Sequence, residues 1–175
     1  MIKNYTASAD NTIVNAFRSN LQTRGTGSNS GRADILEVYS VYGRQTTSSQ
    51  ELSRVLVKFP VNQIANDRTT GKIPASGSVN FFLNLYNAET SKTVPKNAIL
   101  TVNPLLNPWQ EGIGLDLENY SDDTKGDSGS NWMSASATAS WNSVSGGADF
   151  LSGTSADYRY QQLFENGLEN LQINI

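Results

Sequence analysis

Apolar residues in this chain recur at every second position in short runs, and Gly, Asn, Ser and Pro separate the runs. A period of two places alternate side chains on opposite faces of a strand. Residues 79–86 give the strongest instance: Val79, Phe81, Leu83 and Leu85 share one face and predict a core strand. Asn80, Phe82, Asn84 and Tyr86 share the other face. Strands of a sandwich alternate faces, so Phe82 and Tyr86 are expected in a second core layer, with packing under a loop or at a partner interface as the alternatives. Residues 53–59 (SRVLVKF) alternate as cleanly, with Val55, Val57 and Phe59 on one side and Arg54, Leu56 and Lys58 on the other. Pro60 lacks an N–H and ends that ladder. Weaker β patterns cover residues 12–17, 35–42, 98–103 and 132–141, and Leu171, Ile173 and Ile175 alternate in a last strand. Residues 158–171 read two ways. Leu163, Phe164, Leu168 and Leu171 suit a helix, whereas Tyr158, Tyr160 and Gln162 suit a strand; Gly167 breaks the run and favours strand–turn–strand. A single helical turn is expected at residues 62–67.

Between these runs lie polar loops at residues 21–32, 69–78 and 107–127, rich in Gly, Ser, Asn, Thr and Asp, the residues that compete with helix and favour turns. The expected fold is therefore an all-β, antiparallel β-sandwich with long loops. At 175 residues it is expected to form a single domain over 1–175. The hydrophobic share of 37% is low but sufficient, because a half-buried sheet needs apolar residues on one face only. The β pattern runs into Ile175. It suits a native last strand, or equally a longer chain that continues past 175, since an apolar strand end leaves unpaired backbone groups.

Composition then narrows the function. The net charge is -3 with no basic run, so nucleic acid is not an expected partner. No apolar run approaches a membrane span, and MIKNYTASADNT has no apolar stretch of the kind a secretory signal carries. The chain has no Cys, which excludes disulfides and thiolate metal sites. It has no His, which removes the commonest general base and transition-metal ligand and argues against an enzyme.

Several landmarks follow one another in a particular order: Asp10-Asn11, Asn29 and Gly31, Ile35–Val38, SRVLVKF, FFLNLYNAE, NPWQEGIGLD, GSNW at 129–132, Trp141-Asn142, and GGADF at 146–150. This order resembles the DNRLRE-type, carbohydrate-binding-module-like jelly-roll domains, in the version found in tailed-phage virion structural proteins. The likeness runs from about Thr6 to the C-terminus. Its specificity rests on the order of several motifs, none decisive alone. Pro60 departs from it, because the family has an acidic residue after the phenylalanine, which puts any turn or metal role there in doubt. The resemblance implies a jelly-roll sandwich and a non-enzymatic virion role: capsid decoration, neck, baseplate or fibre. The partners would be other virion proteins and copies of itself. It also implies a virion location after assembly in the host cytoplasm, with which the lack of Cys is compatible.

Trp109, Trp132 and Trp141, the only tryptophans, each fall in one of these landmarks. They are read as anchors that pin the long loop to the sandwich, with Gly112 and Gly114 supplying backbone freedom. A flat Trp also stacks on a sugar, so a glycan platform is the other reading. The acidic loop carries Asp116, Glu118, Asp122, Asp123 and Asp127. Hard oxygen ligands on a loop suit Ca²⁺, but Lys125 among them breaks the EF-hand pattern, and a solvated loop with no cofactor is preferred. No spacing singles out catalytic residues. Three function classes remain: a structural phage protein, a glycan-binding or adhesion module, and a carboxylate enzyme acting on polysaccharide. The first leads. The second predicts exposed aromatics in a row on one sheet face, and the third a fixed pair of carboxylates across a sugar cleft.

Overall fold

The computed structural model describes residues 2–88, 99–115, 129–151, 156–159 and 170–175, with 156–159 and 170 as backbone. Among these, the chain forms nine strands and one short helix, in small antiparallel sheets; the fold is all-β. The strands are β1 (Ala9–Val14), β2 (Ser40–Tyr42), β3 (Gln50–Lys58), β4 (Phe82–Tyr86), β5 (Ile99–Val102), β6 (Ser134–Ser136), β7 (Ala139–Ser140), β8 (Ala156–Arg159) and β9 (Asn170–Asn174). The helix α1 spans Val61–Thr69, longer than the single turn expected. Two compact units result, each made of two stretches: Met1–Val61 with Leu105–Asp149, and Asn62–Pro104 with Phe150–Ile175.

In the first unit the sheet order is β1-β3-β2. β1 pairs with β3 from Ala9↔Lys58 to Val14↔Ser53. Its other side is covered, because the Ser30 N–H donates to Thr12 O (3.1 Å) and Ile13 bridges Asn29. Flanked on both sides, residues 11–14 of β1 are fully buried, polar Asn11 and Thr12 included. The core forms around Ile13, Leu56, Trp132, Ala135, Trp141 and Ala148, with Leu52, Leu105 and Trp109 packed against it. The clean alternation of SRVLVKF is only half realised. Leu56 is buried while Val55 and Val57 are half-buried, and at the other end of β3 the buried positions are Glu51 and Ser53.

The strand expected at 35–42 shrinks to β2. Upstream of it, one ladder bond continues, from the Ser53 N–H to Tyr39 O (3.1 Å), while the Glu37 N–H donates to Thr12 Oγ1 (3.3 Å) and the Tyr39 N–H to Ser53 Oγ (2.7 Å). Ile35 and Val38 are exposed there. The 132–141 segment is a tight hairpin of β6 and β7 rather than one strand.

In the second unit β4 pairs with β9 and β5 with β8, and β8 lies beside β9. The β4–β9 register sets Leu83 opposite Ile173 and Leu85 opposite Leu171. Leu171 and Ile173 are buried and Leu83 and Leu85 half-buried, as period two requires for an inner face. The second core layer expected at Phe82 and Tyr86 is not built: Phe82 is 47% and Tyr86 79% exposed. α1 has no apolar stripe. Its C-terminal end is held by buried Asp67, whose carboxylate pairs with Lys72 Nζ (3.2 Å) and whose carbonyl accepts the N–H groups of Lys72 and Ile73. β8 and β9 occupy the two ends of the 158–171 segment; Tyr160, Gln162, Leu163, Phe164, Gly167 and Leu168 lie outside the described residues.

Candidate functional site

Two places concentrate the residues singled out by the sequence. The first is the cradle of the Trp109 loop in the first unit. Residues 109–115 run extended along the core, with the Gln110 N–H on Ala135 O (2.9 Å) and the Ser130 N–H on Gln110 O (2.8 Å). At Gly112 and Gly114 the loop reaches Asn29. The Gly114 N–H donates to Asn29 Oδ1 (2.9 Å), and the Arg32 N–H returns to Gly114 O (3.0 Å). A Cβ on Gly112 would collide with the Asn29 side chain, and one on Gly114 with the Asn29 carbonyl. The approach is thus closed to any other residue, so these glycines serve close contact. The turn freedom expected of them is used elsewhere, at Gly146 and Gly147.

Next to Asn29, buried Asn11 uses its whole amide. Nδ2 donates to Ser130 O (2.9 Å) and Ser130 Oγ (2.8 Å), and Oδ1 accepts the Ser30 N–H (3.1 Å). A buried amide in this state avoids the desolvation penalty that an unpaired one would carry.

Trp132 and Trp141 are buried, and each indole N–H is satisfied: Trp132 Nε1 on Ser145 O and Trp141 Nε1 on Asn131 O, both 2.9 Å. Trp109 is half-buried against the same core. Trp132 and Trp141 thus face inward, as the anchoring role expects, and Trp109 keeps part of its surface exposed. Gly146, Gly147 and Ala148 hold successive left-handed φ angles of 69°, 84° and 73°. That sharp turn brings the Gly147 carbonyl onto Arg54 Nη1 and the Gly147 N–H onto Trp132 O. Arg54 lies over the Trp132 ring at 5.1 Å, and burial pushes its guanidinium below its ordinary range.

Two carboxylates complete the cradle. Asp149 accepts from the Asn142 N–H (2.7 Å), the Ser143 N–H (2.8 Å) and Asn107 Nδ2 (2.8 Å). These bonds, Asn142 foremost, outweigh burial and hold its pKa below the usual carboxylate range. Asp10 is shifted the other way, first by burial and then by the neighbouring charge of Glu111. Glu111 Oε1 accepts the Asp10 N–H (2.9 Å). Among the described residues no group of three or more His, Cys, Asp or Glu is placed to hold a metal. The acidic candidates Asp116, Glu118, Asp122, Asp123 and Asp127 lie outside the described residues.

The second place is the outer face of the β4–β9 ribbon. Phe82, Asn84 and Tyr86 point to solvent from β4, and Gln172 and Asn174 from β9. The register sets Phe82 opposite Asn174 and Asn84 opposite Gln172, whose Nε2 donates to Asn84 Oδ1 (3.2 Å). Two aromatic rings therefore flank an amide pair on a face with no formal charge among the described side chains. The sequence placed the two rings and Asn84 on one face but did not mark Gln172 and Asn174. Gln172 and Asn174 lie far along the chain, and only pairing with β4 brings them beside the rings.

Compared with known proteins, the chain matches no family model, no curated protein and no solved structure.

Proposed function

We propose that the chain is a non-enzymatic structural module of a tailed-phage particle, serving as capsid decoration or as part of a neck, baseplate or fibre. In this reading the fold is a jelly-roll-like sandwich, and the module acts through contacts with other virion proteins and with its own copies. One observation supports it above the rest. Most of the segments that carry the resemblance meet in the first unit and hold one another there. Asn11 binds Ser130 across 119 residues of chain, Asn29 binds Gly114 across 85, and Arg54 binds Gly147 across 93. Motifs used in this way build a scaffold. Several polar side chains at its centre are engaged with backbone groups, which supports a structural use of that region.

The test is a map and a protein inventory of purified particles. A copy of the chain at a symmetry-related position, touching its neighbours, is the expected result. Its absence from both map and inventory ends the reading.

A further inference from the structure

We propose that the outer edge of β2 pairs with the same edge of a second copy of this chain, antiparallel about a two-fold axis at Ser40, so that the two β1-β3-β2 sheets join into one. The pairing goes beyond the particle reading, because it rests on the geometry of the first unit alone.

The sheet has one closed edge and one open edge. Residues 29 and 30 cover β1, through the Ser30 N–H on Thr12 O and the bridge from Ile13 to Asn29. On β2, Tyr39 and Gly43 turn their backbone toward β3: the Ser53 N–H donates to Tyr39 O (3.1 Å) and the Gly43 N–H to Ser49 O (2.9 Å). An antiparallel ladder alternates, so the N–H and C=O groups of Ser40 and Tyr42 point away from β3. These groups and those of Val38 have no hydrogen-bond partner among the described residues. Edges of this kind are ordinarily guarded by Lys, Pro or a bulge. Residues 38–42 (VYSVY) carry no charge and no proline, and the β2–β3 register is regular. Val38 and Tyr42 are instead 57% and 67% exposed, on the same side of the strand as exposed Ser40.

The ends of the edge set the register. The strand leaves it at Glu37, whose N–H turns to Thr12 Oγ1 of β1 (3.3 Å), and at Gly43, whose left-handed φ of 77° opens the next turn. A two-fold axis perpendicular to the sheet places residues of the same face opposite each other. Only an axis at Ser40 then uses Val38, Ser40 and Tyr42 together: Ser40 meets its own copy, and Val38 meets Tyr42 on both sides. Each such pair exchanges two backbone bonds, about six in all. A β-branched residue opposite an aromatic ring is a favourable cross-strand pair, and a second copy supplies it twice. With no charged side chain on the edge, the copies meet no like charge there. Five residues span only about 17 Å, so the contact falls well short of the ~800 Å² that each side of a stable complex buries. The dimer is therefore weak, with a dissociation constant of about 0.01–1 mM, a contact that a repeating array multiplies.

Sedimentation equilibrium of the full chain, from about 10 μM to about 1 mM, tests the pairing. The expected result is a monomer–dimer equilibrium. Ser40→Lys sets like charges against each other on the axis and should leave only monomer. Val38→Lys and Tyr42→Glu should each weaken association about tenfold or more. The double variant, V38K with Y42E, should regain most of the loss, because opposite charges then face each other twice. That recovery reports the register, and a merely sticky apolar patch would not show it. All three positions are exposed, so unchanged melting curves will show that the variants stay folded. A chain that stays monomeric to about 1 mM overturns the proposal. So does association that Ser40→Lys leaves intact, or a double variant weaker than both single ones. None of these outcomes touches the particle reading, whose test is presence in the particle.

Discussion

At the scale of single residues, the chain spends much of its polar composition on buried amides and short backbone approaches. Gly112 shows this most directly: its Cα faces the Asn29 side chain with no room for a methyl group. Gly112→Ala must displace Asn29 and break its bond to Gly114, at a cost of about 3 kcal/mol. Urea unfolding will show this as a lowered midpoint, and a midpoint within error of the parent chain would mean that the loop sits elsewhere. The presence of glycines at 112 and 114 was legible in the sequence; that they meet Asn29 was not, because 85 residues separate Gly114 from Asn29. Titration belongs to this scale too. The folded pKa of Asp149 is depressed below an unfolded value of about 3.9. Its contribution to stability is present above that value and is lost as pH falls through the folded pKa. Asp10 is raised, so its contribution is present at low pH and is lost as pH rises through its folded pKa. Denaturation midpoints measured across acid pH should therefore flatten at the acid end in Asp149→Asn. In Asp10→Asn they should rise at neutral pH. An Asp149→Asn chain with an unaltered acid limb would contradict the three hydrogen bonds.

At the scale of elements, period two predicted strands well where one face is apolar, as in β4 and β9, and poorly where burial is set by neighbours. β3 is the clearest case. Its apolar half obeys the pattern only in part, and its other end buries Glu51, whose Oε2 accepts the Phe17 N–H (2.6 Å) and Arg44 Nη1 (3.0 Å). That carboxylate ties the end of the β1 segment and the β2–β3 turn to one strand, a role no local pattern signals. Glu51→Ala leaves the Phe17 N–H without its acceptor and should cost about 2–4 kcal/mol. Arg44→Ala should cost clearly less, because the Arg44 side chain is 38% exposed and water screens its share of the pair. Thermal unfolding of both variants checks the order. If Arg44→Ala proves the more damaging, the carboxylate is not the centre of this contact. The 35–42 segment is strand only at its end for a related reason: Thr12 and Ser53 hydroxyls accept the Glu37 and Tyr39 N–H groups, so side chains take over part of the ladder.

At the scale of the whole molecule, two units are each closed by distant chain stretches, so local signals alone had no way to separate them. The acidic residues 116–127 bear on behaviour at this scale. With Lys125 among them they are read as solvated, and a chelator should leave the melting temperature unchanged. A fall that added Ca²⁺ reverses would place an ion there instead. By itself the sequence determined the all-β class, the approximate strands of β4, β5 and β9, and the small set of Trp and Gly positions that mark the loops. These follow from side-chain periodicity and backbone freedom, which act over a few residues. Only the tertiary structure decided that Trp132 and Trp141 face inward while Phe82 and Tyr86 face water. It alone set Asn11, Asn29 and Glu51 as the polar centre, and Gln172 beside Asn84. Those outcomes depend on which strands pair and which loops cover them, a choice made by contacts between residues far apart in the chain.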